Sequence, residues 1–189
     1  MVRLALFFCV VICSGCIQSE FSKSKLINPE DVRLAFDSGC EAGIEKYRDL
    51  WLKAATLGDA EIDAADQQAM LSLALKLIEC DHANEDKYYS YAERRISSKD
   101  SGIACMSFSV FGGARSKKAT DILYMNVSHP SNFVSRCVVD AIQYQVVTLK
   151  YSDSSVDEYK YAKEKFDSFC AMKGGNASYV QSVCGRKPN

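Results

Sequence analysis

The sequence predicts an all-α protein: antiparallel helical hairpins, arranged as a bundle or a short solenoid and stapled by disulfides. Three observations carry that prediction. Apolar residues recur at helical spacing through most of the chain beyond residue 28. Glycines or short polar clusters interrupt those stripes where tight turns would fit. Six cysteines, Cys40, Cys80, Cys105, Cys137, Cys170 and Cys184, are spread over the same region, an even set as a disulfide framework requires.

The first helix opens at Asn28-Pro29-Glu30-Asp31. Asn28 can cap, Pro29 suits the first helical position, and the two acids favour the positive end of the helix dipole. Val32, Phe36, Cys40, Ile44, Tyr47 and Trp51 then form one apolar stripe, which predicts one long helix closed by Gly58. A second long helix is expected from Asp59, with Ile62, Ala65, Ala69, Leu73 and Leu77 as its stripe and Cys80 at its end. Two long helices joined by so short a turn pack antiparallel.

Asp81 to Asn84 is polar and breaks the pattern. A shorter helix, about Glu85 to Ile96, carries Tyr88, Tyr89 and Tyr91. Ile103 to Phe111 is apolar enough for a buried helix or a strand, and Gly112-Gly113 ends it. Ala119 to Asn126 reads as another short helix. From Ser131 the periodicity sharpens: Phe133, Cys137, Val138, Ala141, Ile142, Val146 and Leu149 share one face. A turn at Ser152 to Ser155 follows. Val156, Tyr159, Phe166, Phe169 and Cys170 make the next face, closed by Gly174-Gly175, and Cys184 ties down a polar tail.

In an antiparallel hairpin, residues equally far from the turn lie side by side. Cys40 and Cys80 are nearly equidistant from Gly58, and Cys137 and Cys170 from Asp153. The expected bridges are therefore Cys40–Cys80 and Cys137–Cys170, leaving Cys105–Cys184, with Cys80–Cys105 as the main competitor.

Composition narrows the function classes. A chain of 189 residues with net charge −1 fits one domain with a sizeable core and carries no electrostatic footprint for nucleic acid. Arg115-Ser116-Lys117-Lys118 reads as a solvated loop. A zinc site is disfavoured, because only two histidines occur and no C-x-x-C pair lies beyond the leader. No metal and no cofactor is expected.

Met1-Val2-Arg3, the apolar run Leu4 to Ile12, and the small residues before Cys16 are ordered as in a secretory signal peptide. The run falls short of the roughly 20 residues that span a bilayer. A C-x-x-C at Cys13 and Cys16 is not read as a redox pair, since it lies in an apolar leader rather than a βαβ unit. Ser14-Gly15-Cys16 resembles the end of a bacterial lipobox, although Cys13 stands where that motif has Leu. The resemblance implies acylation of Cys16 as the first mature residue; cleavage by ordinary signal peptidase is the alternative. Residues 1–15 are then the signal peptide, 16–27 a tether and 28–189 the domain. Cys9 and Cys13 leave with the leader, and Cys16 as lipid site leaves the six cysteines of the framework. Ile17 is not the aspartate of inner-membrane retention, so the resemblance leans to the outer membrane.

Trp51-Leu52-Lys53-Ala54-Ala55-Thr56-Leu57-Gly58-Asp59-Ala60-Glu61 resembles the helix junction of Sel1-like repeats, relatives of the tetratricopeptide class. A weaker echo runs from Tyr88 to Gly102, with Asp100 matching Asp59 and Arg94-Arg95 in place of the paired alanines. The resemblance covers about a third of the chain and implies stacked hairpins that bind another protein.

Catalytic signals are sparse. G-x-S-x-G, H-E-x-x-H and P-loop patterns do not occur in the sequence. His82 and His129 read as loop residues. Asp59, Glu61 and Asp63 alternate as in a calcium loop, but Ala64 and Met70 replace its glycine and glutamate. Asn126-Val127-Ser128 and Asn176-Ala177-Ser178 are glycosylation sequons, relevant only in a eukaryote. Tyr88, Tyr89 and Tyr91 are the candidate binding surface, against the simpler reading that they pack in the core.

The expectation is a periplasm-facing lipoprotein, not an enzyme, that binds another protein as an immunity or inhibitor factor or as an envelope assembly accessory. Its contacts are that protein and the membrane, through the anchor on Cys16. A soluble secreted eukaryotic binding protein and an enzyme of unrecognised type are the alternatives.

Overall fold

The computed structural model describes residues 24–57, 61–151, 156–173, 180 and 183–185. Among them the secondary structure is all helical: eight α-helices and one 3₁₀ turn. The fold class read from the periodicity is the fold observed.

Helix α1 (Pro29–Asp37) starts where its signals place it, with the Asn28 carboxamide oxygen accepting the Glu30 N–H at 3.0 Å. It does not run on. Gly39 has φ +127°, a conformation L side chains rarely adopt, and α2 (Cys40–Ala54) begins after it. The stripe expected on one long helix therefore lies on two short ones folded together. Phe36 covers Gly43, whose added Cβ would lie 2.5 Å from the Phe36 ring, and stacks 6.5 Å from Tyr47.

Helix α3 (Ala64–Cys80) is capped by Asp63, which accepts the Asp66 N–H at 2.9 Å. The expected start at Asp59 and the Gly58 cap lie outside the described residues. Ala69, Leu73 and Leu77 are buried as the stripe requires. The 3₁₀ turn His82–Asn84 then leads into α4 (Glu85–Glu93).

Helix α5 (Ser101–Gly113) is capped by Asp100, which accepts the N–H groups of Gly102 and Ile103 at 2.8 and 3.0 Å. From Ile103 to Gly113 every residue except Ser109 is buried. A helix apolar all round belongs inside a protein, and α3, α4, α6 and α7 surround this one. Helices α6 (Lys117–Met125) and α7 (Asn132–Lys150) follow, capped by Ser116 and Ser131. Helix α8 (Val156–Lys173) packs on α7. The expected turn at 152–155 and Gly174-Gly175 lie outside the described residues.

The α5–α7 pair explains where the hairpin rule fails. Cys105 bonds Cys137, Gly112 abuts Ala141, and Gln145 donates to the carbonyls of Phe111 and Ala114 at 3.3 and 3.2 Å. These contacts advance in the same direction along both helices, so α5 and α7 run parallel, with α6 as the return. The expected Cys137–Cys170 and Cys105–Cys184 bridges are replaced by Cys105–Cys137 and Cys170–Cys184. Cys137 faces the central helix rather than α8, which leaves Cys170 to the C-terminal segment. Cys40–Cys80 forms as expected across the α2–α3 hairpin, and Cys80–Cys105 does not.

Three residues assigned to apolar faces are exposed: Cys40, Phe133 at 53% and Val156 at 78%, all in the first turns of their helices. Residues 24–27, expected in the tether, belong to the domain. The buried Asp66 carboxylate accepts Ser24 Oγ–H and the N–H groups of Lys25 and Leu26 at 2.7, 2.8 and 3.2 Å, and Ile27 is 4% exposed. No helix among the described residues is long and apolar enough to cross a membrane.

Candidate functional site

A concave surface forms where the last turn of α2 meets α4. Trp51, Leu52, Ala55 and Thr56 supply one wall, and Lys87, Ser90, Tyr91 and Arg94 the other. The second set falls at i, i+3, i+4 and i+7, which is one face of a helix. The groove has a volume of about 370 Å³ and is broadly open, enough for one or two side chains.

Aromatic packing fixes its floor. Trp51, 1% exposed, donates its indole N–H to the Met70 carbonyl of α3 at 2.9 Å. Its ring meets Tyr88 and Tyr91 edge-on, with centroids 4.7 and 5.3 Å away, the geometry in which a ring edge points at a negative ring face. Tyr88 donates to the buried Asp81 carboxylate at 2.7 Å; burial and that carboxylate push its hydroxyl well above the ordinary phenol range. Arg95 lies 3.6 Å from the Tyr91 ring centroid and Arg94 5.7 Å. Tyr91 is therefore held between Trp51 and guanidinium groups.

The rim is cationic. Lys87 and Arg94 line the groove, and among the described residues no carboxylate does, in a chain whose net charge is −1. Lys87 donates to the Asn84 side-chain oxygen at 2.7 Å, which holds its stem along α4.

The tyrosine cluster does not form the surface expected of it. Tyr88 and Tyr91 are 0% and 1% exposed and serve as core and groove floor. Tyr89 points to the other side of α4, beside Phe111 and Lys118, and donates to Asp86, which raises its hydroxyl pKa to about 12. The segment resembling a helical-repeat junction contributes four lining residues, and Arg94, its point of departure in the echo, sits on the rim. Lys87 and Ser90 carried no sequence signal beyond their helical register with Tyr91.

The remaining candidates take other places. Cys16 and the leader, and Asn176, lie outside the described residues. Asn126 donates its side-chain N–H to the Ile122 carbonyl at 2.8 Å. Asp63 is a helix cap. His82 is a surface turn residue whose pKa is lowered by partial burial and by Arg115. His129 is not a plain surface residue: its Nδ1 accepts the Ser131 N–H at 3.1 Å and its ring meets Phe108 edge-on. In the basic stretch, Ser116 caps α6 and Lys118 pairs with Glu93 at 2.9 Å. Among the described residues no cluster of three or more metal-ligating side chains occurs.

No protein-family model, curated protein or solved structure matches the chain.

Proposed function

We propose that this chain is an exported, lipid-anchored factor that works by binding another protein, as an inhibitor or immunity factor or as an envelope assembly accessory. One observation carries the reading. All six cysteines beyond Cys16 are consumed in three disulfides, as suits an oxidising compartment. Cys16 alone is then left at the lipobox-like junction, where acylation would hold the domain at a membrane. The helical scaffold with a preformed groove supports binding as the mode of action.

Membrane fractionation with an alkyne fatty acid label tests the anchor, and photocrosslinkers placed over the surface of the domain test for the partner. The expected result is a labelled, membrane-associated protein that becomes soluble and unlabelled as Cys16→Ser. It should also form a discrete adduct with one protein. A protein that carries no label, or that turns over a substrate until a single point mutation stops it, would contradict the reading.

A further inference from the structure

We infer that the α2–α4 groove receives a segment of the partner in which an acidic side chain stands within a few residues of a large apolar one. This rests on the protein-binding reading above and names the site and chemistry of that binding. Two features select the occupant. The floor is apolar: half-buried Leu52 and Ala55, lying over the buried Trp51 and Tyr91 rings, offer a side chain somewhere to leave water. The rim carries Lys87 and Arg94, with no carboxylate among the described lining residues.

The charge has a structural origin. Arg94 is exposed at the C-cap of α4, where a cation also suits the negative end of the helix. Its guanidinium lies over the Tyr91 face, with Arg95 closer to the same ring. A planar guanidinium held by an aromatic ring keeps its N–H edge available for a carboxylate. Lys87, two turns earlier on the same face, supplies a second charge. Thr56 and Ser90 add hydroxyl groups on the two walls, which can bond the backbone of a bound segment.

An anionic lipid surface offers the same charge but not the same shape. The groove is concave and its apolar atoms lie at its base, so a flat headgroup layer would reach Lys87 and Arg94 without covering the floor. A protruding side chain does both.

The test uses the exported, disulfide-bonded protein carrying Cys16→Ser as bait for an unbiased peptide library displayed on phage. The expected winners share Asp or Glu near Leu, Ile, Phe or Trp and alter the fluorescence of Trp51, the single tryptophan. Their binding should weaken with added salt. Lys87→Glu/Arg94→Glu should bind them at least about tenfold more weakly, whereas Lys160→Glu on α8 should bind them as the parent does. Both variants must retain three disulfides by mass and the parent's helical content; both sites are exposed, so folding is expected to hold. Winners without acidic residues, equal binding by the double variant, no enrichment, or capture by anionic vesicles in place of peptides would each overturn the inference. A protein crosslinked through another face would remove the groove and leave the binding reading standing. The absence of any crosslinked protein would remove that reading too.

Discussion

Gly112 of α5 meets Ala141 of α7 backbone to backbone: a Cβ on Gly112 would lie 2.9 Å from the Ala141 carbonyl oxygen and 3.1 Å from its Cα. Neither atom sits on a flexible side chain, so the helices themselves would have to separate. Gly112→Ala should therefore destabilise the protein by about 1–3 kcal/mol. That sign opposes intrinsic helix propensity, which favours Ala over Gly by about 1 kcal/mol. Denaturant unfolding checks it, and a gain in stability would show that α5 and α7 are not packed this closely.

The same helix pair predicts the disulfide map. Non-reducing peptide mapping should recover Cys40–Cys80, Cys105–Cys137 and Cys170–Cys184. By loop-closure entropy the first two, closing 40 and 32 residues, are worth about 4 kcal/mol each. The third, closing 14, is worth about 3 kcal/mol. Cys105→Ala/Cys137→Ala should thus cost more than Cys170→Ala/Cys184→Ala, as melting temperatures would show.

Asp66 ties residues 24–26 to the domain. Its one carboxylate oxygen takes three donors from residues 24–26. Asp66→Ala removes the acceptor for all three and should cost about 1–3 kcal/mol. The sharper readout is local: trypsin should cut after Lys25 faster in the variant, well below the global melting temperature.

Glu85 sets a pH dependence with a definite sign. Burial raises its carboxyl pKa above the ordinary 4.5, opposed by the Arg115 N–H at 2.7 Å and the Arg115 cation, with Asp86 and Glu158 adding to the rise. In the window just above 4.5 the folded state then holds more proton than the unfolded one, so this group's contribution to stability falls as pH rises. Glu85→Gln keeps an acceptor for Arg115 and removes the slope. Melting temperatures of parent and variant should diverge least below that window and most above it, with the variant the higher.

The legible part of this fold is the part with two kinds of surface. Helices α3 and α7 show their apolar faces as a period in the sequence because one side meets water. Helix α5 shows no period because nearly all of it is buried, and a buried run of that length reads equally as a strand. Its parallel course beside α7 follows from long-range packing, as does the role of Gln145, whose amide satisfies the Phe111 and Ala114 carbonyls at the end of α5 while its oxygen accepts the Thr120 hydroxyl at 3.0 Å. The break at Gly39 was masked by a stripe that continues across it in sequence while turning back in space. The groove was half visible. Trp51 to Thr56 stood out by resemblance and Tyr91 by composition, but only the α2–α4 contact puts Lys87 and Arg94 on one rim.

The intact mass of the protein from its native cells, with and without reductant, bears most directly on the proposed export and anchoring of this chain. The predicted result is the mass of residues 16–189 plus acyl chains, rising by six hydrogens on reduction as three disulfides open. An unacylated mass, or one unchanged by reductant, would contradict it.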